Sequence, residues 1–179
     1  MSDQTPGKRP LWAPWRIEYI LDPNKDDDCF LCRYIPRPED DEKNYVIRRG
    51  EYAFALLNRY PYNSGHILIA PYRHVARLAE LQPEEQQEIF ALLTQAEIVI
   101  QQCMNPDGLN IGANLGKAAG AGLEEHLHVH VVPRWVGDTN FMPVIANVDC
   151  VPQALRDTAE LLRNQWNICF PNKQENHPS

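Results

Sequence analysis

The feature of this chain that most constrains its fold is the run His126-Leu-His128-Val-His130, in which histidines alternate with aliphatic residues. Strict alternation is typical of a β-strand, because successive side chains of a strand point to opposite faces of the sheet. We therefore predict a strand over residues 126–132, with the three imidazoles on one face and the aliphatic side chains in a core. Such a strand needs neighbouring strands and a second layer against its apolar face.

Other segments supply that sheet and its covering layer. Four further runs have the composition of strands: 45–48, 52–57, 66–70 and 109–115. Arg49-Gly50 predicts a hairpin between the first two, and Pro71 stops the third. Pro83 begins a long helix with apolar residues at helical spacing, and a last helix begins near Pro152. The apolar stripe of that last helix is Leu155, Ala159, Leu162 and Trp166. The sequence therefore predicts an α+β fold, with an antiparallel sheet, one long packed helix and a C-terminal helix.

The composition fits one globular domain with short extensions. Of the 179 residues, 44% are hydrophobic and 23% are charged, which are values typical of folded proteins. We expect an N-terminal arm at 1–27, the main domain at 28–145, a C-terminal helix at 146–170 and a flexible tail at 171–179.

The charge and the cysteine content limit the partners that this chain can have. A formal net charge of −7 argues against a nucleic-acid binder, whose affinity comes largely from neutralising phosphates, but it allows a small anionic ligand in a locally positive pocket. No stretch approaches the roughly 18 apolar residues of a membrane span. No apolar signal core follows the polar residues 1–10, so we expect a soluble, cytoplasmic protein with no membrane partner. Five cysteines, an odd number, favour reduced thiols or a metal site over a disulfide framework.

Three imidazoles on one strand face are open to more than one interpretation. They could be half-buried polar residues, or ligands of a metal ion, since neutral imidazole is the commonest metal ligand in proteins. The loop upstream favours phosphoryl chemistry, because small residues let backbone N–H groups approach an anion. These small residues are Gly116, Ala119, Gly120 and Gly122. Arg134 downstream adds a positive charge, and an imidazole nucleophile beside such donors suits phosphoryl transfer. By itself, the same loop is equally consistent with a flexible turn.

Two longer stretches resemble the motifs of the histidine-triad (HIT) nucleotide-binding family. Residues 114–134 read NLGKAAGAGLEEHLHVHVVPR, and residues 57–74 read LNRYPYNSGHILIAPYRH. The two stretches lie in the order expected for that family, with a helix between them, and the resemblance covers about residues 28–135. The extensions at 12–16 and 134–141 resemble the bacterial branch that is similar to diadenosine tetraphosphate phosphorylases.

The resemblance implies a covalent mechanism. The middle histidine of the triad, His128, would attack the α-phosphorus of a nucleotide and form a nucleotidyl-histidine, which inorganic phosphate or water then resolves. His130 and His66 would hold the phosphate oxygens. Asn58 would bind the ribose hydroxyls, and Asn114 would orient the phosphate or the leaving group. Further substrate contacts are expected from Gly120, Gly122, Leu123 and Arg134. Many family members carry Ser or Thr in this loop, whereas the loop here has no hydroxyl and retains only its backbone donors.

Cys29 and Cys32 have the spacing of half a zinc site. From the sequence alone, the pair could equally be redox-active or two packed thiols. In HIT relatives that carry such a pair, two histidines complete the site, and the resemblance implies that these correspond to His74 and His126. Two thiolates and two imidazoles would make a closed tetrahedral zinc site with a structural role, which would position His128 by holding the end of its strand. No organic cofactor is expected.

The resemblance predicts an enzyme that cleaves dinucleoside polyphosphates such as diadenosine tetraphosphate by phosphorolysis. Hydrolysis of these compounds, or of nucleoside phosphoramidates, is the alternative within the same fold. Two hypotheses belong to other classes: a non-catalytic nucleotide-binding module, which has no need of His128, and a protein whose three histidines only bind metal. The resemblance also implies a homodimer, built around the long helix and an edge strand, or a higher homo-oligomer.

Overall fold

The computed structural model describes residues 29–138 and 154–171. Its strands are β1 (Val46–Arg49), β2 (Ala53–Leu57), β3 (Ile67–Pro71), β4 (Gly108–Gly112) and β5 (Val129–Arg134). Its helices are α1 (Phe30–Tyr34), α2 (Pro83–Met104) and α3 (Leu155–Cys169). All pairs of neighbouring strands are antiparallel, and they form one sheet in the order β1-β2-β3-β5-β4. The α+β fold predicted from the sequence is confirmed.

Several predictions concern residues outside the described ranges. They are the N-terminal arm at 1–27, the end of the main domain at 139–145, the start of the C-terminal segment at 146–153 and the tail from 172 onwards. The described part of the C-terminal helix begins at Leu155, and its predicted apolar stripe is buried against the core at Ala159, Leu162 and Trp166. Across the two described ranges, no helix has the length and apolar character needed to cross a membrane.

The predicted hairpin joins β1 and β2, with Arg49 opposite Phe54. Its turn is tied to α2 by Glu88, whose carboxylate accepts the backbone N–H of Ala53 at 2.7 Å. The prediction that Pro71 stops the next strand is nearly right, since Pro71 is the last residue of β3 and pairs with Ala53. Proline is tolerated there because a strand end does not require its missing N–H group.

The sheet separates two cores. One face packs on α2 and α3 and presents alternate residues of three strands: Ala55, Leu57, Ile67, Ile69, Val129 and Val131. The other face packs on α1 and presents Phe54, Leu56, Leu68 and Ala70. Leu127 belongs to the first core, so the alternation predicted around the triad is confirmed. His130 lies opposite Leu68 in the ladder and therefore faces the side of α1.

The histidine strand begins later than predicted. Its ladder with β3 starts at the pair of Val129 and Ile69, so His126 and His128 precede β5. The backbone N–H of Leu127 donates instead to the carbonyl of Val75, beyond the end of β3, at 2.6 Å. The chain therefore stays beside the segment that follows β3, although it is no longer part of the regular sheet.

Candidate active site

His128 has one ring nitrogen bonded to the main chain. Its Nδ1 lies 2.8 Å from the carbonyl oxygen of His126. Because a carbonyl oxygen can only accept, Nδ1 carries the proton and Nε2 carries the lone pair. The residue is only 8% exposed. Burial lowers the pKa of His128 below its ordinary value, and the hydrogen bond to His126 partly offsets this. The result is a neutral imidazole with a lone pair on Nε2, which is what a nucleophile requires.

A second pair of histidines is ordered in the same way. The backbone N–H of Tyr62 donates to Nδ1 of His66 at 3.1 Å, so the proton of a neutral His66 is on Nε2. That nitrogen lies 2.9 Å from Nδ1 of His130 and donates to it. Burial, together with the neighbouring His130 and His128, lowers the pKa of His66 to about 3, so this ring stays neutral. A neutral His130 then carries its proton on Nε2 and can donate it to a phosphate oxygen.

His128 and His130 line one cavity of about 290 Å³ on the α1 side of the sheet. Its apolar wall is formed by Phe30, Tyr34, Leu56 and Leu68. Arg33 and Arg59 are the charged residues of its lining, which contains no Asp or Glu of the described ranges. A chain with a net charge of −7 therefore carries a locally positive cavity. An apolar wall beside imidazoles and guanidinium groups suits a nucleotide, with its flat base and its phosphates.

The four residues predicted to bind zinc converge at one place. The ligand atoms of Cys29, Cys32, His74 and His126 all lie within 4.8 Å of one another. Nδ1 of His126 is 3.2 Å and 3.4 Å from the two sulfur atoms, and Nδ1 of His74 is 3.2 Å from the Sγ atom of Cys32. Tetrahedral zinc, with bonds of about 2.3 Å to sulfur and 2.0 Å to nitrogen, separates its ligand atoms by roughly 3.5 Å. The donor set and the spacing therefore fit a closed zinc site.

His126 connects this cluster to His128. Its Nε2 donates to the carbonyl oxygen of Pro71 at 2.9 Å, so the lone pair is on Nδ1, the nitrogen that faces the cysteines. Its own carbonyl oxygen accepts the Nδ1 proton of His128. The side chain of His126 thus belongs to the cysteine cluster, while its carbonyl oxygen bonds to His128, which lines the cavity.

Residues 39–136 match the HIT domain. This range is more than half of the chain. The chain belongs to the HIT domain family. The resemblance stated from the two motifs is confirmed, and the neighbouring solved structures share the fold of this HIT domain.

Two curated relatives and one solved structure illustrate this membership. The HIT protein is 43% identical over 162 residues to "AP-4-A phosphorylase" of Mycobacterium tuberculosis, which spans 87% of this chain and 83% of the relative. It is 36% identical over 84 residues to "Bis(5'-adenosyl)-triphosphatase" of Dictyostelium discoideum, which spans 47% of this chain and 56% of that protein. A Zn-bound histidine triad family protein from Mycobacterium smegmatis superimposes with a TM-score of 0.63 at 25% identity, over 80% of this chain and 96% of that one.

Three of the six predicted substrate contacts of this HIT domain line the cavity, namely Asn58, Gly122 and Leu123. Asn114 and Gly120 do not belong to its lining. Asn114 is half-buried in the loop that follows β4, because β4 ends at Gly112, before the point predicted from the sequence.

The structure does not bring Arg134 to the cavity either. The side chain is at the end of β5, where Asp138 accepts from its Nε and Nη2 at 2.6 Å and 2.9 Å. Asn110 accepts from its Nη1 at 2.9 Å. The positive charge expected beside the histidines is therefore paired elsewhere, and Arg33 and Arg59 supply it instead.

The direct contact expected between His66 and a phosphate also needs correction. His66 is fully buried and is not part of the cavity lining. Both of its ring nitrogens have protein partners, the backbone N–H of Tyr62 and Nδ1 of His130. His66 is therefore placed to act through His130 and not on the substrate.

The glycine-rich loop differs from the phosphate cradle that its composition suggested. Gly116 and Gly120 have φ values of 79° and 85°, a left-handed region that favours glycine, and they flank a 3₁₀ turn at Lys117–Ala119. The N–H groups of Ala119 and Gly120 donate to carbonyl oxygens inside the loop at 3.2 Å and 3.0 Å. These amides hold the turn together, and the loop meets the cavity only at its end, from Gly122 onwards.

Among the cavity residues that the sequence did not predict are Arg33, Arg59, Tyr60 and Tyr62. Three of them form the short segment that follows Asn58 between β2 and β3, so a basic and aromatic loop inside a recognised motif was the available signal. Arg33 gave no such signal, since only the packing of α1 on the sheet brings it to the cavity.

Proposed function

We propose that this HIT-family protein is a nucleotidyltransferase that cleaves dinucleoside polyphosphates, such as diadenosine tetraphosphate, by phosphorolysis. The observation that carries the proposal is the bond from Nδ1 of His128 to the carbonyl of His126, which assigns the lone pair to Nε2 beside the cavity. The relative named AP-4-A phosphorylase, with 43% identity over most of both chains, supports the choice of substrate and acceptor.

The reaction has two displacements at one phosphorus. Nε2 of His128 attacks the α-phosphorus, and the P–O bond to the rest of the substrate breaks as the P–N bond forms. From diadenosine tetraphosphate, the leaving group is ATP and the enzyme retains an adenylyl group. The Nε2–H group of His130 stabilises the charge on the phosphate oxygens, and His66 holds His130 in that tautomer. Inorganic phosphate then attacks the same phosphorus, gives ADP and releases His128.

Asn58 can hydrogen-bond to the ribose in addition to its own hydrogen bonds in the segment after β2. Its Oδ1 accepts the backbone N–H of Tyr60 at 3.0 Å, and its Nδ2 lies 3.3 Å from Nδ1 of His66. A side-chain amide has two N–H groups and two lone pairs, so one of each remains for ribose hydroxyls. The base would then lie against the apolar wall of the cavity.

We also propose that Cys29, Cys32, His74 and His126 hold a structural zinc ion. The Zn-bound histidine triad family protein from Mycobacterium smegmatis supports the choice of metal. Four protein ligands would leave no position open for substrate, which distinguishes a structural from a catalytic zinc site. Zinc bound at Nδ1 would fix the ring and the main chain of His126, and so hold the carbonyl group to which His128 donates.

Analysis of the products tests this function. Full-length protein is incubated with diadenosine tetraphosphate, with and without inorganic phosphate, and the nucleotides are separated by chromatography. ADP plus ATP formed only when phosphate is present supports phosphorolysis. The absence of turnover under both conditions would contradict an enzymatic role and favour a nucleotide-binding module.

Hydrolysis is the second candidate, because the relative from Dictyostelium discoideum is named a triphosphatase. In that case water would attack the nucleotidyl-histidine in place of phosphate. AMP plus ATP formed without added phosphate would identify this activity, whereas two ADP would show cleavage between the central phosphates, which a nucleotidyl-histidine at the α-phosphorus does not give.

We propose a homodimer in solution, as the family resemblance implies. β4 is the edge strand of the sheet and most of its residues are exposed. Ile111 on β4 and Phe90 on α2 are large apolar residues that are 48% and 72% exposed. Sedimentation equilibrium measures the state directly, and a monomer at micromolar concentration would contradict the proposal.

A further inference from the structure

One exposed part of the cavity rim is formed by a short segment of chain. Arg59, Tyr60 and Tyr62 follow β2, line the cavity and are exposed. The cavity volume of about 290 Å³ is at the lower limit of roughly 300–1,000 Å³ for small-molecule sites. A cavity of this size takes one nucleotide unit. The remainder of a dinucleoside polyphosphate must therefore extend beyond it, over the exposed part of its rim.

Arg59 provides the positive charge of this rim. Its guanidinium carbon lies 5.9 Å from the centroid of the Tyr45 ring, a contact that orients a side chain otherwise free to move in solvent. A polyphosphate chain carries several negative charges, and a planar guanidinium group binds phosphate oxygens in pairs. The cavity lining includes no carboxylate of the described ranges, so no lining residue competes with a ligand phosphate for Arg59.

Tyr60 and Tyr62 provide an aromatic surface beside that charge. They are 36% and 45% exposed, and both line the cavity. The ring of Tyr62 stacks at 5.9 Å from the ring of His130, so the aromatic surface begins next to the phosphate-binding histidine. Nucleobases stack on exposed aromatic side chains without regard to the identity of the base.

We propose that Arg59, Tyr60 and Tyr62 form a distal subsite for the leaving part of the substrate. Arg59 binds the phosphates beyond the one that His128 attacks, and the two tyrosines stack the second nucleoside. This subsite, which rests on the proposed function, selects dinucleoside polyphosphates over nucleotides that have only a small leaving group.

Binding measurements on a variant without the nucleophile test the subsite independently of catalysis. Calorimetry on the full-length His128→Asn protein gives Kd values for diadenosine tetraphosphate and for AMP, with no need of turnover. Adding Arg59→Gln is expected to weaken binding of diadenosine tetraphosphate about tenfold more than binding of AMP. The matched control is Arg156→Gln, which also removes one positive charge but breaks only an exposed ion pair to Glu42. Equal weakening of both ligands by Arg59→Gln would overturn the proposal.

A second comparison isolates the tyrosines. Adenosine 5′-tetraphosphate has the same number of phosphates as diadenosine tetraphosphate but lacks the second nucleoside. Tyr60→Ala should weaken binding of the dinucleotide about tenfold more than binding of the mononucleotide, because only the dinucleotide loses a stacked base. Tyr62 is left intact, because its ring packs against the rings of His66 and His130 at centroid distances of 4.8 Å and 5.9 Å. If both ligands weaken equally, stacking of a second nucleoside is wrong. If both comparisons succeed but the wild-type protein shows no turnover, the subsite stands and the proposed reaction fails.

Discussion

His126 and His128 are two residues apart, but different ring nitrogens face their surroundings: Nδ1 of His126 faces the cysteine cluster, and Nε2 of His128 faces the cavity. In His126 the main-chain carbonyl of Pro71 binds Nε2 and leaves Nδ1 for the cysteine cluster. In His128 the carbonyl of His126 binds Nδ1 and leaves Nε2 for the cavity. Both side chains are buried, and burial lowers both pKa values. The same residue type thus presents Nδ1 at one position and Nε2 at the other, because a different backbone carbonyl binds each ring.

The largest expected effect comes from removing the nucleophile of this pair. His128→Asn should lower kcat for diadenosine tetraphosphate by roughly 10⁴-fold or more, the range found when a covalent nucleophile is removed. The same variant should keep its zinc, because His128 is not part of the cysteine cluster. Steady-state kinetics and elemental analysis of the same sample check both statements. Retention of a normal rate would contradict the role of His128.

Removal of a cysteine ligand should instead change the metal content and the stability of the protein. Cys32→Ala is expected to lose zinc and to lower the free energy of unfolding by several kcal/mol, a part of the roughly 10–16 kcal/mol that zinc contributes in small zinc domains. Its matched control is Cys103→Ala, which removes a half-buried thiol of the main core outside the cluster. Elemental analysis and thermal unfolding distinguish the two. Equal metal content in Cys32→Ala and in wild type would refute the zinc site.

His66 is a third histidine with a fixed tautomer, and its lowered pKa should make the stability of the protein depend on pH. Its pKa is about 3 in the folded protein and near 6.5 in the unfolded chain, so the unfolded state binds more protons between these values. Stability should therefore fall as pH decreases below 6.5, by up to about 1.4 kcal/mol per pH unit from this residue alone. Denaturant unfolding at pH 6.5 and 5 should show a smaller loss in His66→Asn. An equal loss in both proteins would contradict the neutral, buried state of His66.

The smallest effect is expected at the rim of the cavity near His128. A Cβ atom at Gly122 would meet nothing within 4 Å, so Gly122→Ser should change the free energy of unfolding by less than about 0.5 kcal/mol. Gly65→Ser is the contrasting control, because Gly65 has a φ of 76° and its Cβ would lie 2.5 Å from Sδ of Met104. Thermal unfolding of the two variants measures the difference. A large loss of stability in Gly122→Ser would show that the loop is packed and not open.

The regular elements could be predicted because local patterns determine them. The alternation around the triad and the helical stripe ending at Trp166 both follow from burial of one face. The start of β5 could not be predicted, because His126 bonds to the last residue of β3 and Leu127 bonds to Val75, which lies beyond it. Such a boundary depends on the tertiary partner of each N–H group.

The candidate site could be predicted as far as motifs reach. The four residues of the cysteine cluster lie together, and His128 lines the cavity. Each of these residues belongs to a motif that can be read from the sequence. The source of positive charge did not follow, because Asp138 pairs with Arg134 and the packing of α1 decides that Arg33 reaches the cavity. The charged residues that line a cavity depend on tertiary packing, so their distance from a motif in the sequence does not predict them.

The most direct test of the opposite assignment of His126 and His128 is the tautomer of each ring, read from long-range ¹H–¹⁵N correlations of the zinc-loaded protein. Both rings should be neutral at pH 7.5, with the proton on Nε2 in His126 and on Nδ1 in His128. A proton on Nε2 of His128, or the same tautomer in both rings, would contradict the division of the two residues between metal binding and nucleophilic attack.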